Sequence, residues 1–195
     1  RIPDEIGRCF ELETLSLRTN KLSGGVPASL GECTKLKTLL LYQNQLEGRI
    51  PDEIGRCVEL EGLYLHQNKL SGGVPASLGE CTKLKILILY ENQLDGGIPD
   101  ELGECAAIET LSLSENKLTG PVPASLGKCT KLKSLGLFEN QLEGSVPASA
   151  LAKLTAIEQL ALDDNAGLTI TPSGEQELRS ALPNAKLSLP TVAEE

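Results

Sequence analysis

The sequence is poor in the side chains that carry most enzyme chemistry. It contains no tryptophan, no methionine, five aromatic residues and a single histidine, His66. With one histidine, no Ser/His/Asp or Cys/His/Asn constellation for nucleophilic catalysis is apparent within the chain. We therefore predict that this chain is not an enzyme, and we expect no cofactor.

Long apolar runs and an excess of positive charge are also missing. No apolar run reaches the ~18 residues that a membrane helix requires, and no signal peptide is present. The 27 acidic residues outnumber the 18 basic ones and give a net charge of -9. This balance argues against a nucleic-acid backbone or an anionic membrane surface as the main partner. We predict no nucleic-acid partner and no direct membrane insertion by this segment.

What the sequence does contain is a repeat of 24 residues built around an asparagine. One unit runs from Leu36-Lys37-Thr38-Leu39-Leu40-Leu41-Tyr42-Gln43-Asn44-Gln45-Leu46 through Gly48 to Ile50-Pro51. A unit this short cannot bury its own apolar residues, so successive units must stack on one another. The asparagine recurs six times at the fixed period, and a final copy is stretched by one residue: Asn20, Asn44, Asn68, Asn92, Asn116, Asn140 and Asn165.

The spacing Leu-x-x-Leu-x-Leu-x-x-Asn-x-Leu-x-Gly-x-Ile/Val-Pro resembles the plant-type subclass of leucine-rich repeats, from Arg1 to about Asn165. The resemblance implies an α/β solenoid: a right-handed superhelix with a parallel concave β-sheet and short helical turns on the convex side. We expect about seven repeats over residues 1–170, the first truncated, and a C-terminal cap helix, final strand and tail over 171–195. Members of the family usually bind proteins or peptides on the concave sheet, and plant-type members often form receptor ectodomains.

The absence of two extracellular features favours an intracellular location. No asparagine lies in an Asn-x-Ser/Thr sequon, although similar extracellular domains commonly carry several. The chain also lacks the paired cysteines expected of a secreted cap. Because Arg1-Ile2-Pro3 corresponds to the middle of a repeat, we expect the native start to lie upstream.

Within each unit, alternation predicts one short parallel strand. Leu15 and Leu17 point into the core, and Thr14, Ser16 and Arg18 point to the opposite face. The asparagine follows the strand, where its amide can bond backbone groups left unpaired by the bend. Glycines at the same period, such as Gly24, allow the next turn, and segments such as Ile2-Pro3-Asp4-Glu5-Ile6 predict short helical turns with proline at the first position.

The six cysteines also fall one per repeat, which favours small core side chains over a metal site. Residues in one register give parallel side chains, whereas zinc needs ligands that converge. Leu154 occupies the same slot in the last repeat, so the slot accepts a hydrocarbon. Disulfides between adjacent coils remain an alternative, since strands lie about 5 Å apart. The six residues are Cys9, Cys33, Cys57, Cys81, Cys105 and Cys129.

Charges alternate along one column at the entrance to the strands. Like charges on neighbouring parallel strands would repel, whereas alternation makes each neighbour attractive. We assign this ladder to structure, because exposed pairs contribute little. Its members are Glu13, Lys37, Glu61, Lys85, Glu109, Lys133 and Glu158.

Four of the five aromatic residues occupy strand positions that a leucine-rich repeat would expose on its concave face. Aromatic residues exposed beside apolar neighbours are typical anchors of a binding patch. The alternative is that they only stabilise cross-strand packing. His66 shares their column, and we interpret it as a contact residue that adjusts binding with pH. The predicted patch comprises Leu40, Tyr42, Tyr64, His66, Ile88, Tyr90 and Phe138.

Beside the patch, a second column changes from neutral to acidic along the solenoid. It runs Thr19, Gln43, Gln67, Glu91, Glu115, Glu139 and Asp164. Consecutive carboxylates at about 5 Å spacing repel one another and favour an external cation. Three interpretations stay open here: a basic protein segment, an unoccupied solvated face, or calcium. Our preferred site combines the patch with Glu91, Glu115 and Glu139.

The leading functional hypothesis is a protein- or peptide-binding module that uses its concave face. The alternatives are a structural scaffold or subunit of a larger assembly, and a fragment of a receptor ectodomain. The scaffold would use its edges or convex face, so the two hypotheses differ in which surface matters. Fold alone does not choose the partner.

Overall fold

A computed structural model describes residues 1–193 as a stack of coils, each contributing a strand to a parallel main sheet. Neighbouring strands pair without a register shift, so that Thr14, Leu15 and Ser16 lie beside Thr38, Leu39 and Leu40. The eight strands, in spatial order, are β1 (Thr14–Ser16), β3 (Thr38–Leu40), β5 (Gly62–Tyr64), β7 (Ile86–Ile88), β9 (Thr110–Ser112), β11 (Ser134–Gly136), β13 (Gln159–Ala161) and β15 (Lys186–Ser188).

A second parallel sheet runs along one side of the coils. Its strands follow the asparagine turn and pair across repeats. In chain order they are β2 (Ser23–Gly24), β4 (Gln45–Gly48), β6 (Lys69–Gly72), β8 (Gln93–Gly96), β10 (Lys117–Gly120), β12 (Gln141–Ser145) and β14 (Gly167–Thr169). The predicted turn glycines are confirmed, since Gly24 and its counterparts have φ between +74° and +85°.

The predicted helical turns are 3₁₀ helices, except that the seventh is the α-helix α1 (Ala148–Leu151). Proline stands one residue before each turn rather than at its first position, because Pro3 and its equivalents have extended ψ values. Each 3₁₀ turn contains a glycine where coils approach closely: a Cβ at Gly55 would lie 2.5 Å from the Ser77 carbonyl oxygen. The six 3₁₀ helices are Asp4–Arg8, Ala28–Glu32, Asp52–Arg56, Ala76–Glu80, Asp100–Glu104 and Ala124–Lys128.

The asparagine side chains bond backbone groups at the bend, as predicted, and they also join consecutive coils. The Asn44 Nδ2 donates to the carbonyl oxygens of Leu41 and Tyr42 in its own coil and of Leu17 in the preceding coil. Its Oδ1 accepts from the Leu22 amide at 3.0 Å. The same pattern recurs from coil to coil, so each amide satisfies several backbone groups that would otherwise be unpaired.

All six cysteines are free thiols, and five of them are buried. Cys57 lies against the Leu30 carbonyl oxygen at 3.4 Å, and burial raises the pKa of its thiol to about 11. Cys9 differs because it lies in the first coil and is exposed. The prediction of small core side chains therefore holds for five positions and not for Cys9.

The charge ladder forms separate pairs rather than one continuous column. Glu13 binds Lys37 and Glu61 binds Lys85, with N to O distances of 2.8 and 2.6 Å, and Glu109 repeats the contact with Lys133. Within residues 1–193, no salt bridge joins Lys37 to Glu61. The lysine side chains reach the preceding coil only. The pairing lowers the pKa of the Glu61 carboxyl through its hydrogen bond with Lys85.

The C-terminal end closes the core with α2 (Pro172–Ala181) and β15. Thr171 caps α2 by accepting from the Gly174 amide, and Leu178 is fully buried. Within the predicted tail, Val192 forms a parallel bridge with Ile170. The remainder of that predicted tail, 194–195, lies outside the described residues. The division into 1–170 and 171–195 stays a prediction.

Candidate functional site

The candidate site lies on the outward face of the eight-stranded sheet, the face predicted to be concave. Register places Leu40, Tyr64 and Ile88 side by side on β3, β5 and β7. One column further along the chain, Tyr42, His66 and Tyr90 follow the same strands. We call these six outward residues the aromatic half of the sheet face: Leu40, Tyr42, Tyr64, His66, Ile88 and Tyr90.

Three rings in the aromatic half form a continuous stack. Tyr42 and His66 have ring centroids 4.4 Å apart with planes inclined by 12°, and His66 and Tyr90 are 4.6 Å apart at 21°. Arg18 covers the outer face of Tyr42 with its guanidinium carbon 5.8 Å from the ring centroid, and it donates to the Tyr42 hydroxyl. The rings therefore present mainly their edges, rather than their faces, to a partner.

His66 is enclosed by its neighbours in the stack. Its exposed fraction is 9%, and its Nδ1 is buried with no hydrogen-bond partner in the part of the chain that the structure describes. Burial lowers the pKa of the imidazole, and the nearby Glu91 carboxylate opposes this shift. A neutral ring is favoured because protonation would place an unsatisfied N–H in the stack.

Tyr64 lies beside the stack, and the position of its ring depends on the absence of a side chain at Gly62. Its ring leans over Gly62 on the same strand, where an added Cβ would lie 2.8 Å from the Tyr64 Cε2. The ring is half-buried, and burial raises the pKa of its phenol. Any side chain at Gly62 would push this ring toward solvent.

The acidic column has an unusual backbone. Glu91, Glu115 and Glu139, like every other member of the column, have φ between +51° and +57°, the left-handed region that usually favours glycine. The Asn side chain that follows each of them bonds the surrounding backbone, which holds this turn in place. The conformation is shared by all seven coils, so it is part of the repeat.

Hydrogen bonds link the neutral members of this column into a chain that ends at Glu91. Thr19 donates to Gln43 at 2.9 Å, Gln43 donates to Gln67 at 2.9 Å, and Gln67 donates to both Glu91 carboxylate oxygens. Within residues 1–193, Glu115 makes no side-chain hydrogen bond or salt bridge. Burial raises the pKa of the Glu115 carboxyl, and the Glu91 and Glu139 charges on either side add to the rise.

The outward positions after the aromatic half are small, and acids lie along one side of them. Ser112 and Gly136 follow Ile88 in one column, and Ser114 follows Tyr90 in the next. Ser114 is fully buried, and its Oγ has no hydrogen-bond partner among residues 1–193. We call this region the acidic half of the sheet face: Ser112, Ser114, Glu115, Gly136, Phe138 and Glu139.

The structure thus divides the predicted site residues into two groups. The aromatic half brings six of them together, whereas Phe138 lies two coils beyond Tyr90 and does not join the stack. Sequence reasoning missed Arg18, Gly62 and Ser114. The 24-residue register alone could have placed Arg18 and Ser114 in the aromatic column, since each stands at the equivalent position. Nothing in the sequence marks Ser114 as buried.

Two kinds of feature are absent from the described part of the chain, residues 1–193. Among residues 1–193, no group of three His, Cys, Asp or Glu side chains could hold a metal ion. In the same residues, no helix is both long and apolar enough to cross a membrane. The acidic column therefore carries no calcium proposal.

The Leucine Rich Repeat family model matches five consecutive segments, 11–33, 35–57, 59–81, 83–105 and 107–129. These segments make up more than half of the chain, so the chain belongs to the leucine-rich repeat family. No curated protein sequence gives a significant match.

Solved structures of plant leucine-rich repeat proteins are similar over nearly the whole chain. The plant peptide hormone receptor RGFR1, in complex with RGF2, is 39% identical with a TM-score of 0.89, over 98% of this chain and 30% of that one. The ectodomain of the membrane receptor kinase GASSHO1/SCHENGEN3 from Arabidopsis thaliana, in complex with CASPARIAN STRIP INTEGRITY FACTOR 2, is 33% identical with a TM-score of 0.90, over 99% and 23%. A plant ice-binding protein is 30% identical with a TM-score of 0.85, over 98% and 61%.

These comparisons confirm the family, the solenoid fold and the functional class of a leucine-rich repeat binding module. They also correct one prediction. The intracellular location is wrong, because the similar receptor structures are ectodomains of plant membrane receptors. Missing sequons misled us because glycosylation sites are surface features that the fold does not require. The chain spans less than a third of the length of RGFR1 and of GASSHO1/SCHENGEN3.

Proposed function

We propose that this chain is a non-catalytic module that binds an extended peptide with a basic segment on the outward face of its eight-stranded sheet. The observation that carries the proposal is the adjacency of the aromatic half and a run of uncompensated carboxylates on one face. RGFR1 is a plant peptide hormone receptor that was solved in complex with RGF2, which supports a peptide as the partner.

The aromatic half supplies contact area. Tyr64 lies between Leu40 and Ile88, and all three are half-buried, so a partner gains by covering their exposed edges. The stack holds Tyr42 and Tyr90 in fixed positions through His66, so little side-chain freedom is lost when a partner binds.

The acidic column favours partners that carry positive charge. Gln67 donates hydrogen bonds to the Glu91 carboxylate, whereas Glu115 is flanked by carboxylates on both sides. A basic group on the partner removes this repulsion, and the net charge of -9 steers such a partner toward the surface.

The test is a selection from a phage-displayed library of random peptides, followed by affinity measurements on the enriched peptides. We expect Tyr64→Ala combined with Tyr90→Ala to weaken binding by roughly 700-fold, since two anchors at roughly 2 kcal/mol each contribute about 4 kcal/mol together. Phe10→Ala is the matched control, because Phe10 is 60% exposed and lies in the loop before β1.

Urea unfolding of each variant separates lost contact from lost structure. Enriched peptides that bind the double variant as tightly as the wild type would refute the proposal. That result would move the site to the edges or the helical side and favour the scaffold hypothesis.

A further inference from the structure

His66 lies at the centre of the ring stack on the sheet face. Its ring centroid is 4.4 Å from that of Tyr42 and 4.6 Å from that of Tyr90, with planes inclined by 12° and 21°. The neighbouring positions of the column, beyond the two tyrosines, carry Arg18 and Ser114, which have no ring. The imidazole is therefore the ring through which the two tyrosines stack.

The enclosure of His66 favours an uncharged ring. The imidazole is buried, and its Nδ1 has no hydrogen-bond partner among residues 1–193. A proton added to the ring would leave a hydrogen without an acceptor and would create a charge that is largely removed from water. The flanking outward residues of its own coil, Tyr64 and Gln67, are uncharged. The stack thus suits the neutral form of His66.

The adjacent coils present one carboxylate to the imidazole. The preceding coil supplies the Tyr42 ring, whose hydroxyl accepts from Arg18, and the following coil supplies Tyr90 and Glu91. Burial raises the pKa of the Tyr90 phenol, so this group stays neutral in acid. Burial lowers the pKa of His66, and the Glu91 charge opposes that shift. The two phenol rings would also attract an imidazolium, but we expect the cost of burial to be larger.

We infer that His66 is the positioning residue of the peptide-binding face: its neutral ring holds the Tyr42 and Tyr90 rings in one stack, and its protonation releases them and weakens binding. The inference rests on the proposed function and adds a pH control to the same site. Because His66 is enclosed, it acts through the tyrosines and offers little surface to a partner. Once released, the Tyr90 ring has more freedom to lose when a partner binds.

The first experiment uses the protein without a partner and follows its single histidine by NMR. We expect the His66 side-chain ¹⁵N and ¹³C signals to show a titration midpoint below 6.5, the ordinary value for histidine. The ring signals of Tyr42 and Tyr90 should shift with the same midpoint as the rings separate. Tyr64 is the internal control, because its ring leans over Gly62 beside the stack and should shift less.

Two outcomes of this titration would overturn the inference. A midpoint at or above 6.5 would show that Glu91 and the phenol rings stabilise the charged imidazole within the stack. Tyrosine signals that do not follow His66 would show that its proton leaves the stack intact. Glu91→Gln removes the opposing charge and should lower the midpoint further, whereas Glu143→Gln, at an exposed acid of β12, should leave it unchanged.

The second experiment measures the affinity of selected peptides at about pH 7.5 and about pH 5. The peptides contain no histidine or acidic residue and have blocked termini, so that their own charge stays constant. The wild type should lose several-fold more affinity on acidification than His66→Phe, which keeps a ring but cannot be protonated. Titration of the acidic column is common to both proteins. His66→Ala opens the stack and should bind more weakly than His66→Phe at both pH values.

Equal acid dependence in the wild type and His66→Phe would overturn the inference. If such peptides still depend on Tyr64 and Tyr90, the proposed function stands and only the role of His66 is removed. If no peptide is selected while the His66 and tyrosine signals titrate together, the proposed function fails. In that case the binding part of the inference falls with it, although His66 still positions the two rings.

Discussion

The two halves of the sheet face share one backbone and differ in what that backbone presents. In the aromatic half, Tyr42, His66 and Tyr90 stack on one another, so most of the area of their ring faces is already covered without a partner. In the acidic half, Ser114 has an unpartnered hydroxyl and Glu115 is flanked by like charges. A regular scaffold can therefore hold a surface whose groups are already paired beside one whose groups are not, and a ligand gains most at the second.

The largest expected effect comes from disrupting the scaffold that both halves share. Asn92 lies at their boundary and donates to the Leu65, Leu89 and Tyr90 carbonyl oxygens while accepting from the Leu70 amide. Asn92→Ala should lower the free energy of unfolding by about 3–5 kcal/mol, because it leaves several backbone groups unpaired. Urea denaturation measures the change.

Asn20→Ala is the control for this prediction. Asn20 is exposed, and within residues 1–193 its side chain bonds only the Leu17 and Arg18 carbonyl oxygens, so its loss should cost much less. Similar costs for Asn20→Ala and Asn92→Ala would mean that the amides do not join the coils as described.

The second prediction compares one buried outward residue from each half. His66→Ala opens the ring stack and should destabilise the fold by about 1–2 kcal/mol. Ser114→Ala should change stability by less than about 1 kcal/mol, and in the favourable direction, because the lost hydroxyl has no partner. Thermal and urea unfolding of the two variants give the answer. If Ser114→Ala were less stable than His66→Ala, the acidic half and not the aromatic half would be the one whose buried groups stabilise the fold.

The third prediction is that the two halves respond oppositely to acid. Burial depresses the pKa of His66, so its contribution to stability is present above pH 6.5 and is lost as the pH falls below that value. The pKa of Glu115 is raised above 4.5, so its penalty is full above the raised value and is relieved as the pH falls toward 4.5.

Matched variants isolate each contribution to this pH dependence. His66→Phe keeps a ring without a titrating group, and Glu115→Gln keeps the shape without the charge. Relative to His66→Phe, the wild type should lose stability on acidification; relative to Glu115→Gln, it should gain stability. Parallel unfolding curves for all three proteins between about pH 4 and pH 7 would contradict both assignments.

The smallest effect is expected from the ion pairs at the entrance to the strands. Glu61→Gln removes the pair with Lys85 at the aromatic half, and Glu109→Gln removes the pair with Lys133 at the acidic half. The side chains of both pairs are about half exposed, so solvent screens them and the two variants should differ little from the wild type and from each other. A clear difference between their melting temperatures would mean that the halves differ in the scaffold as well as in the surface.

Much of the fold was predictable because the repeat restricts the alternatives. The spacing of Asn44 and its equivalents, the turn glycines and the alternating leucines required parallel strands and stacked coils. Less of the site was predictable. Register placed Tyr42, His66 and Tyr90 in one column, but it did not show that their rings stack or that Arg18 caps them, because side-chain rotamers depend on neighbours from other coils.

The repeat pattern is enough to show that the chain stacks as a solenoid and which columns face outward, because no single coil can bury its leucines and side chains alternate along a strand. Which residues in those columns are enclosed, and which have their polar atoms paired, depends on the folded molecule. His66 is enclosed by rings 24 residues away in each direction, and Ser114 is buried beside a glycine on the next strand. Burial and hydrogen bonding belong to contacts between coils, and the pattern within one coil does not contain them.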